Sequence, residues 1–173
     1  MQFSSAQITS GFELDANAIA VTPNPPDDWD LIYDSTDNAQ VTTGIVIDQP
    51  HGNDNAFQQG SSDLNDVPTW HWTLFSTPDK DDILHAGAAL YNDDQLFFFG
   101  DRYATNGNAE IGFWFFKSPV YPLPNGSFFG THTVGDILIL SNFVNGGGVA
   151  QIRAYEWVGS GGSDGSLDQL TIN

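Results

Sequence analysis

The chain has 173 residues, of which 40% are hydrophobic and 13% aromatic. That is enough apolar material for a packed core rather than a disordered chain. Twenty-two acids stand against four bases (Lys80, Arg102, Lys117 and Arg153), a formal charge of -18. Such a surface repels phosphate backbones and anionic headgroups, which excludes nucleic acid and acidic membranes and leaves cations, neutral glycans and neutral or basic proteins as partners.

Chemistry is excluded as well as partners. There is no cysteine, so disulfides, thiolate metal sites and thiol catalysis are absent. No apolar run approaches the roughly 20 residues of a membrane span, so membrane insertion is not expected. Residues 1–10 lack the basic start and apolar stretch of a signal peptide, and Met1 is compatible with the start of an excised segment.

Short runs rich in Val, Ile, Phe, Tyr and Trp predict strands, beginning at 7–14. An acidic turn, NPPDDWD at 24–30, follows; its adjacent prolines oppose helix. A strand is expected at 43–47. Residues 48–68 are polar with little periodicity, a long loop of the kind that is usually functional or poorly ordered. In the strand at 70–75, Trp70, Trp72 and Leu74 share one face.

The run 83–91 contains three alanines and could be helical, but Gly87 in its middle favours a strand. Turns at 91–94 and 105–108 flank the next strand, 95–100. The segment 110–116 is apolar on both faces, which predicts a central strand covered on both sides. Strands at 136–140, 150–158 and 167–172 complete the set, with a glycine-rich hairpin tip at 159–165. Many short strands without alternating helices predict a single domain over 1–173: an all-β, two-sheet antiparallel β-sandwich, jelly-roll-like, with a closed barrel as the alternative.

Six strings carry a resemblance: FELDANA at 12–18, DDWD at 27–30, TPDKDDI at 77–83, FFFGDRYATNGNAEIGFWFF at 97–116, VGDILILSNF at 134–143 and YEWVGSGG at 155–162. Together, and in this order, the chain resembles an extracellular module of large bacterial surface proteins, similar to jelly-roll domains of the carbohydrate-binding type. The resemblance implies a secreted, cell-surface-associated module beside other domains. GSSDLNDV before Trp70 departs from the pattern, which has a lysine and more acids there, and family members continue beyond YEWVGSGG.

Calcium binding is the chemistry the residues favour most. Nineteen of the acids are Asp, a short oxygen ligand for hard cations. Asp79, Asp81 and Asp82 precede a strand; Asp27, Asp28 and Asp30 form a second cluster; Asp15 and Asn17 form a third. Like charges about 4 Å apart repel by ~1 kcal/mol in water and ~4 kcal/mol at an effective dielectric of 20, so converging carboxylates call for a cation. Two such loops meeting would supply its six to eight oxygens. The alternative is that each cluster is a solvated turn with Asp as a cap.

Other constellations are weaker. Arg102 is expected to pair with an acid, Asp101 or an Asp of the 77–83 loop, in an ion pair that fixes a loop, and Arg102 and Asp101 could instead contact a ligand. Trp114, Tyr155 and Trp157 could stack on sugar rings as a carbohydrate-binding platform, contact a neighbouring domain, or belong to the core. Paired Asp residues could serve a glycoside hydrolase, but the E-x-D-x-E and G-x-S-x-G motifs are absent. The expectation is therefore a calcium-stabilised structural or adhesive module that is not an enzyme.

Overall fold

The computed structural model describes residues 11–15, 17–21, 26–48, 54–58, 65–92 and 94–172. The fold class is the expected one: all-β, of the sandwich type, with open antiparallel sheets and no closed barrel among the described residues. The chain forms two compact units, Met1–Asp48 with Ile83–Asp101, and Gln49–Asp82 with Arg102–Asn173. No helix among the described residues is long and apolar enough to cross a membrane.

The first unit holds a three-stranded sheet, ordered β1 (Val41–Ile47), β4 (Ile83–Tyr91), β5 (Gln95–Arg102). β4 is a strand over the full expected run, and Gly87 explains why. A Cβ there would lie 2.8 Å from the Phe99 ring and 3.1 Å from the Gly44 carbonyl, so the alanine-rich stretch needs its glycine for close approach. Phe12, Ile32, Ala89, Tyr91 and Phe97 form the core of this unit, with Trp29, Ala39 and Ile45 packed against it.

A helix, α1 (Trp29–Asp34), was not expected beside the 24–30 turn. Proline constrains the residue before it, not the chain that follows. Asp28 takes extended dihedrals and caps the helix by accepting from Trp29 N–H at 2.7 Å, while Ser35 ends it in the left-handed conformation. Of the first expected strand, 7–10 lie outside the described residues; within the rest, Phe12 makes an isolated parallel bridge to Asp27.

The second unit carries a four-stranded sheet ordered β11 (Gly165–Leu170), β10 (Val149–Gly159), β9 (Ile137–Val144), β6 (Ala109–Phe115). The β10–β11 hairpin closes with Gly159 opposite Gly165, as the glycine-rich tip predicted. β6 corrects an expectation: it pairs with β9 and ends the sheet rather than lying at its centre. Its two apolar faces arise from packing of side chains, with Trp114 set against Trp70 and His132.

The long polar stretch 48–68 also differs from expectation. Within it lies β2 (Asp54–Phe57), paired with β3 (Trp72–Phe75), and a 3-10 turn at Val67–Thr69, capped by Asp66, overlaps its end. Residues 49–53 and 59–64 lie outside the described residues. A short ladder, β7 (Tyr121–Pro122) with β8 (Phe128–Phe129), completes this unit.

Candidate functional site

Two loops of the first unit run side by side and gather its acids. Glu13 N–H donates to the Asp27 carbonyl at 2.8 Å, Asp27 N–H to the Gly11 carbonyl at 3.2 Å and Asp30 N–H to the Ala18 carbonyl at 3.0 Å. Glu13, Asp27 and Asp28 are thereby buried, at 3%, 2% and 0% exposure.

The acids differ in how they are satisfied. Asp27 accepts from Tyr91 OH at 2.8 Å, from Asn38 Nδ2 at 2.8 Å and from Asn38 N–H. Three donors fill it, so its role is to tie the core together rather than to face an ion. Its bond and charge, after burial, push the Tyr91 hydroxyl far up. Glu13 Oε2 accepts from Val21 N–H at 3.0 Å. Asp30 accepts from Ala20 N–H at 3.2 Å and from Leu31 N–H at 2.8 Å. Asp15 accepts from the backbone and side-chain amides of Asn17, whose own Oδ1 accepts from Ile19 N–H at 2.8 Å.

Asp28 is the exception. Its Oδ1 caps α1, but its Oδ2 is buried with no hydrogen-bond partner among the described residues. Burial is the main cause that pushes its carboxyl up to about 6; the Trp29 N–H bond opposes this, and the charges of Asp15, Asp30 and Glu13 add to it.

No Lys or Arg can answer these charges within the unit. Eleven of the 22 acids fall in 1–48 and 83–101, eight and three respectively, whereas all four bases lie in the second unit. As the side chains stand, no three acidic or histidine side chains among the described residues are close enough to hold a metal ion. No family model, curated protein or solved structure matches the chain.

The Asp79, Asp81 and Asp82 cluster belongs to the second unit and is engaged differently. Lys80 Nζ lies 2.7 Å from Asp81 Oδ2. The backbone carbonyls are taken in turn: Asp79 accepts from Ala104 N–H at 3.0 Å, Lys80 from the Arg102 guanidinium at 3.0 Å and Asp82 from Tyr103 N–H at 2.9 Å. These bonds pin the turn to 102–104 and engage the Lys80 carbonyl. Among the described residues Arg102 forms no ion pair with Asp101, and it reaches the 79–82 turn through the Lys80 carbonyl rather than a carboxylate. Its guanidinium also lies 4.1 Å from the centre of the Phe143 ring.

Asp101 is paired in the first unit. Both its oxygens are held by His85, Oδ1 by the backbone N–H at 2.7 Å and Oδ2 by Nδ1 at 2.8 Å.

The aromatic platform needs correction. Trp157 is 1% exposed and cannot stack on a sugar. Its indole is wedged over Gly165, where an added Cβ would lie 2.0 Å from Nε1. Tyr155 and Trp114 are half-buried. Trp114 stacks on Phe116 and lies 4.4 Å from the His132 ring.

That ring marks a feature that composition and spacing do not reveal. His132, 2% exposed, lies 4.0 Å from the Trp157 ring and places Nδ1 3.3 Å from Asp136 Oδ2. Burial lowers its pKa against the opposing pull of Asp136. Asp136, fully buried, also accepts from Lys117 N–H at 2.8 Å and Thr133 N–H at 2.9 Å. His132 is a neutral ring in an aromatic core. Glu13 is the other residue missed: it reads as the polar end of a strand, and only the fold buries it beside Asp28.

Proposed function

We propose that this chain is a calcium-stabilised structural module of a secreted, cell-surface protein, with the ion held between the loops at 13–17 and 28–30. One observation carries the reading: Asp28 buries a carboxylate oxygen that no group among the described residues answers, in a unit with eleven acids and no Lys or Arg. A buried charge without a partner costs several kcal/mol, and a divalent ion removes that cost.

The available donors are hard oxygens, the ligands calcium prefers. Asp28 and Glu13 would supply the buried side, and Asp15, Asn17 and Asp30 the outer side, exchanging present hydrogen bonds for the ion. The role is passive. The ion ties the 11–21 segment to the start of α1 and stiffens a chain that has no disulfide. Extracellular calcium supplies the staple that cysteines provide in other secreted domains.

At one hundred times its dissociation constant, an ion bound only by the native state adds about 2.7 kcal/mol. The melting temperature is expected to rise with millimolar calcium and fall in chelator, and magnesium at equal concentration should do less. Identical melting in calcium and in chelator contradicts the reading.

A further inference from the structure

The first unit contains a second feature, which shares Asn17 and Asp30 with the calcium reading: a cavity of about 640 Å³ lined by these two, Trp29, Tyr33, His85, Phe99 and Asp101, and also by Ala18 and Ile45. Its size is that of a pocket for a small organic molecule. We propose that it binds an organic ammonium ion, the charged head between Asp30 and Asp101 and the apolar body on the faces of Trp29 and Phe99.

Three observations lead there. The aromatic wall is continuous, since Trp29 and Phe99 have ring centres 4.4 Å apart, tilted by 47°. Tyr33 is exposed at the rim. Aromatic faces attract cations, most of all where water is partly excluded.

The carboxylates are held in place before any ligand arrives. Asp101 is clamped through both oxygens by His85, and Asp30 is held by Ala20 and Leu31 N–H groups. Such fixed groups lower the ordering cost of binding.

The third observation is the balance of donors and acceptors. Carboxylate oxygens carry free lone pairs after their present bonds, whereas Asn17 Nδ2 is turned to Asp15 and His85 Nδ1 to Asp101. A neutral sugar needs donors as well as acceptors, and two of the pocket's donors are engaged in this way. An anion meets two carboxylates and no Lys or Arg. A cation with an apolar body matches both the charge and the walls.

The test titrates the whole chain with phenyltrimethylammonium, its uncharged isostere tert-butylbenzene, benzenesulfonate and glucose, followed by tryptophan fluorescence and calorimetry. The ammonium probe should bind at least about tenfold more tightly than the isostere, and rising salt should weaken it. Asp101→Asn should reduce its affinity about fivefold, and Phe99→Leu should also weaken it, with folding of each variant checked by circular dichroism.

Repeating the titration in chelator separates this proposal from the calcium reading, because chelator leaves Asn17 and Asp30 to the pocket alone. Equal binding of probe and isostere, tighter binding of glucose or benzenesulfonate, or no binding of the ammonium probe overturns the proposal.

Discussion

Asp28 combines two tasks that conflict. As the cap of α1 it is best ionised, because a carboxylate accepts from the helix N-terminus and favours its dipole. As a fully buried group with an unanswered oxygen it is best neutral. The sign of the pH effect follows. Its folded value, about 6, lies above the ordinary 3.8, so in metal-free protein its contribution is fully present below about pH 4 and is lost as pH rises through 6. The difference of about two pKa units corresponds to about 3 kcal/mol. In chelator at pH 7, Asp28→Asn is therefore expected to stabilise the protein by up to about 3 kcal/mol, an advantage that vanishes near pH 4. Urea denaturation of both proteins across pH 4–7 measures it, and a constant difference over that range contradicts the assignment.

The oxygen-rich clusters at 15–17 and 27–30 were legible in the sequence, but that these two loops run side by side was not. Nor were the unequal roles of the acids: Asp27 is filled by Asn38 and Tyr91, groups 11 and 64 residues away along the chain. Sequence spacing carries no trace of donors so distant.

Elements were legible where the apolar pattern is dense. β4 and β10 stand where the apolar runs place them, and in β4 burial of alternate residues, Gly87, Ala89 and Tyr91, fixes the strand and its register. α1, β2 and the short β7–β8 ladder were not, being short pieces whose formation depends on capping and on partners elsewhere.

Two glycines test how tightly the elements are packed. Gly165→Ala would drive a Cβ into the Trp157 indole, and Gly87→Ala would press on the Phe99 ring and the Gly44 carbonyl. Each is expected to cost about 1–3 kcal/mol, by chemical denaturation, as overpacking does. A neutral result at Gly165 would show that the β10–β11 tip can open without loss.

On the scale of the whole molecule, charge is distributed as unevenly as it is abundant. All four bases lie in one unit, and eleven acids have none beside them in the other. Net charge of -18 was plain from composition; its segregation appears only when the fold gathers 1–48 with 83–101. The unit without bases is the one that buries Asp28 and lines the pocket with Asp30 and Asp101. Salt should consequently stabilise the metal-free protein, since screening weakens repulsion among exposed acids. Melting in chelator at 20 mM and 500 mM sodium chloride checks this. A fall in melting temperature at high salt would contradict it.

Calorimetric titration of calcium into the wild-type chain and into Asp28→Asn at pH 7 decides whether Asp28 holds the ion. Saturable binding to the wild-type protein is expected, with affinity lost or reduced at least about tenfold in the variant, as when a buried charged ligand is removed. Absence of binding to the wild-type chain, or equal affinity in the two proteins, would contradict it.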